Sequence, residues 1–145
     1  MKKVIALYAT ADRGKTTTLK KLIDLLSNIA EYCELCRSYE CWAHFEIKGM
    51  KVVVCTPGDA KGEIKHNAKY ATDYDCDIFV TATRTKGETT AEIAKFTKKQ
   101  KAQLVWIKKE NNEENNGIVA ANLFNLIIKD VCENDGFDFN KFVFE

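Results

Sequence analysis

The chain has 145 residues, a length that fits one domain around one hydrophobic core, and we expect a single domain over residues 1–145. Its 22 lysines and arginines nearly balance 21 aspartates and glutamates, so the net charge of +1 excludes the general electrostatic footprint of a nucleic-acid-binding protein. No apolar stretch approaches the roughly 20 residues that a membrane helix needs. The first residues have strand character and lead into a turn, not a cleavage site, so we expect a cytoplasmic protein with reduced cysteines.

The first half of the chain predicts a strand, a helix and a hairpin. Residues 2–8 are an apolar run of strand formers that ends in a small, polar turn. From Thr16 onward, apolar residues recur at helical spacing and share one face: Leu19, Leu22, Ile23, Leu26 and Ala30. Residues 42–46 partly alternate and residues 51–55 are a β-branched run, which together predict a β-hairpin.

The second half predicts alternating helices and strands. Helices are expected at 63–74, 88–100 and 118–133, and strands at 77–82 and 103–107. Phenylalanine alternates with polar residues over 137–144, a pattern that fits a last strand or a tail across an apolar groove, and both stay open. The order of elements predicts an α/β fold, a three-layer sandwich in which helices cover a mainly parallel sheet.

One motif lies between the first strand and the first helix. Residues 9–16 match G-x-x-x-x-G-K-[ST] at every fixed position except the first, where Ala9 replaces glycine. The flanking strand and helix would aim free backbone N–H groups and the positive end of the helix at a phosphate. The motif resembles the phosphate loop of P-loop NTPases. The segment from Gly14 to Leu22 is also similar to the opening helix of signal-recognition-particle GTPases.

The resemblance implies a role for each residue of the loop. Lys15 would contact the outer phosphates, and Thr16 would hold Mg²⁺ through its hydroxyl. Either Arg13 offsets the charge of Asp12 or both side chains point to solvent. The implied phosphate-binding residues are Ala9, Thr10, Ala11, Asp12, Arg13, Gly14, Lys15, Thr16 and Thr17. The alternative is a plain helix start, with glycine for the turn and threonine near the cap.

A second segment follows the predicted hairpin. Residues 52–59 end in a turn and resemble the D-x-x-G segment of Ras-like and translation-factor GTPases, a likeness that includes Gly58. The aspartate with which that family holds Mg²⁺ falls at Cys55 in this chain. Asp59 is the nearby carboxylate, so the resemblance implies Thr16 and Asp59 as metal-binding residues and Gly58 as a neighbour of the phosphates. A plain β-turn is the alternative.

Two further segments follow predicted strands. Arg84 and Lys86 lie where open α/β sheets place their ligands, so Arg84 is expected to neutralise charge in phosphoryl transfer or to bind a substrate. A solvated basic loop is the alternative. Residues 107–110 keep a lysine of the GTPase N-K-x-D segment and make Glu110 a candidate base reader, against an ordinary run of charges.

Cysteine spacing raises a separate hypothesis. Cys33, Cys36, Cys41 and His44 form two close pairs, as a tetrahedral zinc site requires. The alternative is that Cys33 and Cys36 lie near the end of the first helix and pack as small buried side chains. The spacing leaves both open.

Together these residues predict a protein that binds ATP or GTP with Mg²⁺. The expected activity is slow hydrolysis of the phosphoric anhydride, or a nucleotide-dependent switch, with Lys15, Asp59 and Arg84 as the catalytic residues. The sequence leaves open a small-molecule or nucleotide kinase, which would use the same loop and an acceptor site near Arg84. It also leaves open a noncatalytic module that keeps the P-loop fold to bind a protein partner. Whether the chain is an enzyme is not decided by these motifs.

Overall fold

The structure, a computed structural model, describes residues 1–9, 14–37, 39–109, 113–134 and 136. Within these ranges the chain forms six strands and four helices, together with a short 3₁₀ turn at Glu113–Asn115. In chain order the elements are β1 (Lys3–Tyr8), α1 (Lys15–Ser27), β2 (Tyr32–Arg37), β3 (Cys41–Ile47), β4 (Met50–Cys55), α2 (Lys61–Asp73), β5 (Ile78–Thr83), α3 (Glu88–Gln100), β6 (Gln103–Lys108) and α4 (Asn116–Asn134).

The strands form one sheet in the order β2-β3-β4-β5-β1-β6. Strands β4, β5, β1 and β6 run parallel, whereas β3 pairs antiparallel with both β2 and β4. The fold is therefore α/β with a mixed, six-stranded sheet. The prediction of a parallel sheet describes only those four strands, because the hairpin and an additional strand extend the sheet in antiparallel orientation.

Strand β2 is not predicted by the sequence. It is the outer strand of the sheet, and most of its side chains are exposed. Such a strand lacks the alternation of apolar and polar residues by which a half-buried strand is found. Helix α1 also ends earlier than its apolar spacing suggests, at Ser27, so Cys33 and Cys36 lie on β2 and not at the end of that helix.

The core has one part on each face of the sheet. Along β1, Ile5 and Leu7 point to one face and Val4 and Ala6 to the other, as in a strand buried on both sides. Helices α1 and α4 cover the first face through Leu19, Leu22, Ile23, Leu26, Val119, Leu123, Ile127 and Val131. Helices α2 and α3 cover the second face through Ile64, Ala68, Ala71 and Ile93. Full burial of one leucine or isoleucine contributes about 1.5–3 kcal/mol, so both faces stabilise the sheet.

The parallel strands end at the same edge of the sheet. Tyr8 at the end of β1 pairs with Thr83 of β5 and Lys108 of β6, and Cys55 at the end of β4 pairs with Thr81. We call this side the carboxyl edge; it comprises the residues that follow these strands and the first turn of α1. Open α/β sheets bind their ligands at such an edge.

The predicted helices agree in position with the observed ones. Helix α3 has the predicted bounds, and α2 and α4 begin two residues earlier than expected, at Lys61 and Asn116. The tail over 137–144 lies outside the described residues. In the described ranges, no helix is long and apolar enough to cross a membrane.

Candidate functional site

Helix α1 begins at the carboxyl edge directly after Gly14. This glycine has a left-handed backbone conformation, with φ 84°, and its carbonyl accepts a hydrogen bond from Thr18 N at 2.9 Å. This conformation favours glycine, and a Cβ here would lie 2.7 Å from Asn116 Oδ1 of α4, so the Asn116 side chain would have to move. Within the described part of the chain no side chain caps α1, and its first turn holds no acidic residue. The positive end of a helix attracts an anion.

Lys15 is almost completely buried at the start of α1, with 5% of its side chain exposed. Its Nζ donates to Asp59 Oδ1 at 3.0 Å and to the Thr83 carbonyl at 2.9 Å. A buried ammonium requires such partners, because desolvation of an unpaired charge is costly. Asp59 is 53% exposed, so one side of this ion pair is open to solvent. The structure therefore brings Lys15 and Asp59, both predicted from the sequence, into direct contact.

Thr16, the residue after Lys15, belongs to a group of three oxygen-bearing side chains that contact one another. The other two are Glu40 and Thr56. Thr16 Oγ1 donates to Glu40 Oε1 at 3.2 Å, and Thr56 Oγ1 donates to Glu40 Oε2 at 2.6 Å. Thr56 Oγ1 also accepts from Cys41 N at 2.8 Å. Glu40 belongs to no recognised motif, and the sequence analysis missed it. The predicted hairpin over residues 42–55 brings Glu40 towards the residues that follow its second strand, but only the register of β3 and β4 shows which of them Glu40 contacts.

The loop between β4 and α2 is fixed by hydrogen bonds and by close packing. The Glu63 carboxylate accepts from the backbone N–H of Asp59 at 3.0 Å, and Asn67 Nδ2 donates to the carbonyl that precedes Gly58 at 2.8 Å. A Cβ on Gly58 would lie 2.2 Å from the Ala82 carbonyl oxygen, so the approach of this loop to β5 requires glycine. Packing against β5 thus accounts for this glycine, and its role beside phosphates stays a prediction.

Cys55 occupies the position of the GTPase aspartate and points away from α1. It is fully buried on the face covered by α2 and α3. Burial raises the pKa of its thiol well above the usual value, and the Cys76 thiol raises it further. Thr56, the next residue, points instead to Glu40. A carboxylate at position 55 would therefore lie in the apolar core on the other face of the sheet from Thr16.

A cavity of about 470 Å³ opens at the carboxyl edge between the residues that follow β4 and those that follow β5. Its charged lining residues are Asp59, Lys61, Arg84, Lys86 and Glu88. The Arg84 backbone N–H donates to a threonine hydroxyl of α3 at 2.9 Å, which fixes the start of this basic loop. Arg84 and Asp59 thus share one cavity, and Asp59 connects it to Lys15.

The four zinc candidates do not converge. Cys33 and Cys36 are three residues apart on β2 and so point to opposite faces, and both are exposed. Their interpretation as buried side chains at the end of the first helix is therefore wrong. Cys41 is buried on the face covered by α1, whereas His44 lies on the other face against the ring of Tyr74, at 4.0 Å between centroids. In the part of the chain that the structure describes, no three His, Cys, Asp or Glu side chains are arranged to hold a metal ion.

The remaining candidates are distributed around the same edge. Ala9 is buried, and its N–H donates to the Thr83 carbonyl at 3.4 Å, whereas Thr17 is exposed on α1. Lys109, which the sequence analysis did not single out, is only 1% exposed directly after β6, while Lys108 is exposed. Five predicted residues lie outside the described ranges: Thr10, Ala11, Asp12, Arg13 and Glu110.

The carboxyl edge brings together a lysine, a helix start, hydroxyls and carboxylates. Ammonium groups and helical N–H groups bind oxyanions, and hydroxyl and carboxylate oxygens are the ligands that Mg²⁺ prefers. Comparison of the chain with protein-family models, with curated proteins and with solved structures found no match. The chemistry of the edge suits a phosphate group together with a divalent cation.

Proposed function

We propose that the protein binds the phosphates of ATP or GTP, together with Mg²⁺, at the carboxyl edge and hydrolyses the nucleotide slowly. The observation that carries this proposal is the buried Lys15, whose Nζ lies at the edge with a partly exposed carboxylate as its partner. A lysine buried to this degree at a helix start is suited to exchange its acceptors for phosphate oxygens. On this proposal, the parallel strands and their helices form a three-layer sandwich of the P-loop NTPase type.

Lys15 would exchange partners when a triphosphate binds. Its present bonds are to Asp59 and to the Thr83 carbonyl. Because Asp59 is 53% exposed, it can turn to solvent when a phosphate replaces it beside the buried ammonium. Hydrogen bonds from an ammonium to phosphate oxygens are stronger than those to a neutral carbonyl. The N–H groups at the start of α1 would add donors at the same place.

The donor set beside Lys15 fits Mg²⁺. Thr16 contributes a hydroxyl oxygen and Glu40 a carboxylate, and Asp59 lies on the other side of Lys15. Mg²⁺ is held in nucleotide sites by one or two carboxylates, water and the phosphates, so no larger protein cage is needed. When bound, the ion neutralises negative charge on the phosphates. Slow hydrolysis is expected because position 55, where Ras-like GTPases have their acid, holds a buried thiol on the other face, so β4 itself supplies no metal-binding acid.

A small-molecule or nucleotide kinase is the second candidate, and the cavity beside Asp59 favours it. Lys61, Arg84 and Lys86 line that cavity and would attract an anionic acceptor. Product analysis separates the candidates. Release of inorganic phosphate without an acceptor supports hydrolysis, transfer to an added anionic acceptor supports a kinase, and binding without turnover supports a noncatalytic module.

Calorimetric titration of ATP and of GTP in the presence of Mg²⁺ tests the proposal. Lys15→Ala should weaken triphosphate binding about 10- to 100-fold, because charge-assisted hydrogen bonds contribute roughly 1.5–3 kcal/mol. Lys21→Ala is the matched control, since it removes an exposed lysine from the same helix. A folded Lys15→Ala protein that binds the nucleotide as tightly as the wild type would exclude Lys15 as the phosphate-binding residue.

A further inference from the structure

A carboxylate that contacts Thr16 comes from the antiparallel part of the sheet. We propose that Glu40, directly before β3, is the acid of a Mg²⁺ site at Thr16, replacing the acid that β4 lacks at Cys55. This inference rests on the proposed function, because the ion would be bound together with the triphosphate. Glu40 acts here as a positioning residue, through the Thr16 hydroxyl that it contacts at 3.2 Å.

Hydrogen bonding orients both oxygens of the Glu40 carboxylate. Thr56 Oγ1 accepts from Cys41 N, so its single proton is free to go to Glu40 Oε2, at 2.6 Å. The other oxygen, Oε1, is left to accept the Thr16 proton. A hydroxyl that donates its proton to a carboxylate keeps its lone pairs for a metal ion, and the carboxylate makes it a better ligand.

Residues on both sides of Glu40 make contacts with other elements of the fold. Cys41 and Thr56 form two hydrogen bonds, from Cys41 N to Thr56 Oγ1 at 2.8 Å and from Thr56 N to the Cys41 carbonyl at 2.9 Å. On the other side, Lys20 Nζ of α1 lies 5.1 Å from the centroid of the Tyr39 ring. These contacts join the segment that contains Glu40 to the end of β4 and to α1. A carboxylate held in this way meets the geometric demand of a metal site.

Asp59 is another carboxylate at the edge, and its contacts differ from those of Glu40. Its Oδ1 accepts from Lys15 and its backbone N–H is held by Glu63, whereas Glu40 contacts the hydroxyl of Thr16 directly. The two acids therefore have different roles. Asp59 pairs with the ammonium of Lys15, and Glu40 orients the Thr16 hydroxyl for the metal ion. One hydroxyl oriented by one carboxylate is a sufficient protein contribution, since Mg²⁺ takes its other ligands from phosphates and water.

The test is the effect of Mg²⁺ on nucleotide affinity, which needs no turnover. The dissociation constants of ATP and of GTP are measured by calorimetry in Mg²⁺ and in EDTA. Glu40→Gln keeps the shape of the side chain and removes its charge. It should reduce the Mg²⁺-dependent gain in affinity about 10- to 100-fold, as loss of a residue that holds a metal ligand does. Binding in EDTA should be as tight as in the wild type or tighter, because a negative charge near the phosphates has been removed.

Further variants locate the effect. Glu34→Gln removes an exposed carboxylate from neighbouring β2 and should leave both affinities unchanged. Glu40→Asp keeps the charge with a shorter reach and should retain part of the Mg²⁺ effect, which covers the case that Glu40→Gln folds poorly. Asp59→Asn should keep the full Mg²⁺ effect.

Three outcomes would overturn the inference. If Glu40→Gln weakens binding equally in Mg²⁺ and in EDTA, the role of Glu40 is structural. If Glu40→Gln keeps the full Mg²⁺ effect, Glu40 is not the acid. Loss of the Mg²⁺ effect in Asp59→Asn would then assign the site to Asp59. If the wild type binds neither nucleotide in either condition, the proposed function fails, and this inference fails with it.

Discussion

The parallel and the antiparallel parts of the sheet contribute different groups to the carboxyl edge. The parallel strands supply the acceptors of Lys15, which are the Thr83 carbonyl at the end of β5 and Asp59 after β4. The antiparallel part supplies Glu40, which contacts Thr16. The charge of the Lys15 ammonium is therefore balanced by the parallel part, and the Thr16 hydroxyl is oriented by the antiparallel part. An added hairpin can bring an acid to a site even where the neighbouring parallel strand ends in an apolar residue.

Strand β4 belongs to both parts. Its last residue and the residue that follows it point to opposite faces of the sheet. Cys55 points into the core under α2 and α3, and Thr56 points to Glu40. Successive side chains of a strand point to opposite faces, so only one of these two positions can face Thr16. The predictions below test whether the acid comes from the parallel or from the antiparallel part.

Cys55→Asp should have the largest effect, a loss of about 3 kcal/mol or more in the free energy of unfolding. The new carboxylate would lie unpaired in an apolar core, where the burial that raises the pKa of the Cys55 thiol would also oppose its ionisation. Urea unfolding monitored by circular dichroism measures this. Cys55→Ala, which removes only the thiol, is the control. A Cys55→Asp protein of wild-type stability with stronger Mg²⁺ dependence would show that the parallel part can hold the acid.

Gly58→Ala should cost about 1–3 kcal/mol, because its Cβ would lie 2.2 Å from the Ala82 carbonyl oxygen and a backbone segment would have to move. Gly62→Ala in α2 is the control; nothing lies within 4 Å of a Cβ there, so it should stabilise the protein by roughly 0.5–1 kcal/mol. Thermal unfolding of the two variants measures the difference. Equal stabilities would mean that the parallel part does not hold the loop that ends in Asp59 rigidly.

Asp59→Asn should raise triphosphate affinity by up to about fivefold and leave its Mg²⁺ dependence unchanged. The substitution removes a negative charge that competes with phosphate for Lys15, and solvent screening of the half-exposed Asp59 limits the gain to about 1 kcal/mol. Asp73→Asn is the control, since Asp73 pairs with Lys69 at 2.8 Å on the exposed side of α2. A loss of binding confined to Asp59→Asn and to Mg²⁺-containing buffer would instead make Asp59 the metal-binding acid.

Acidification should have the smallest effect, through His44 in the antiparallel part. Burial lowers the pKa of His44, and Lys51 lowers it too, whereas Glu34 and Glu46 raise it and so oppose the effect. Because the pKa in the folded state is below the unfolded value near 6.5, this contribution to stability is fully present above about pH 6.5 and is lost as the pH falls through the folded value. Denaturant unfolding across that range should be less pH-dependent in His44→Phe. Identical pH profiles would contradict this assignment.

Sequence patterns predicted the buried elements well, because burial imposes periodicity. Strand β1, the hairpin and α3 all carry apolar residues at strand or helix spacing. The strand predicted before the motif and the helix predicted after it are likewise observed. The outer strand β2 escaped prediction, since an exposed edge strand imposes no such pattern.

The sequence could not predict which side chains meet at the carboxyl edge. Lys15 and Asp59 were proposed separately, and their contact depends on how the loop after β4 packs against β5. Glu40 lies in no motif, and its role becomes visible only once the register of β3 and β4 is known. The burial of Lys109 likewise depends on the position of β6 beside β1. Such contacts between distant segments follow from topology, which local patterns do not specify.

A crystal structure with ATP or GTP and Mg²⁺ tests the central claim most directly, because it locates the phosphates and Lys15 together. The account predicts phosphate density at the N–H groups of Gly14 and the first turn of α1, with Lys15 Nζ moved from Asp59 to a phosphate oxygen. Nucleotide bound elsewhere, with Lys15 still held by Asp59 and the Thr83 carbonyl, would contradict it.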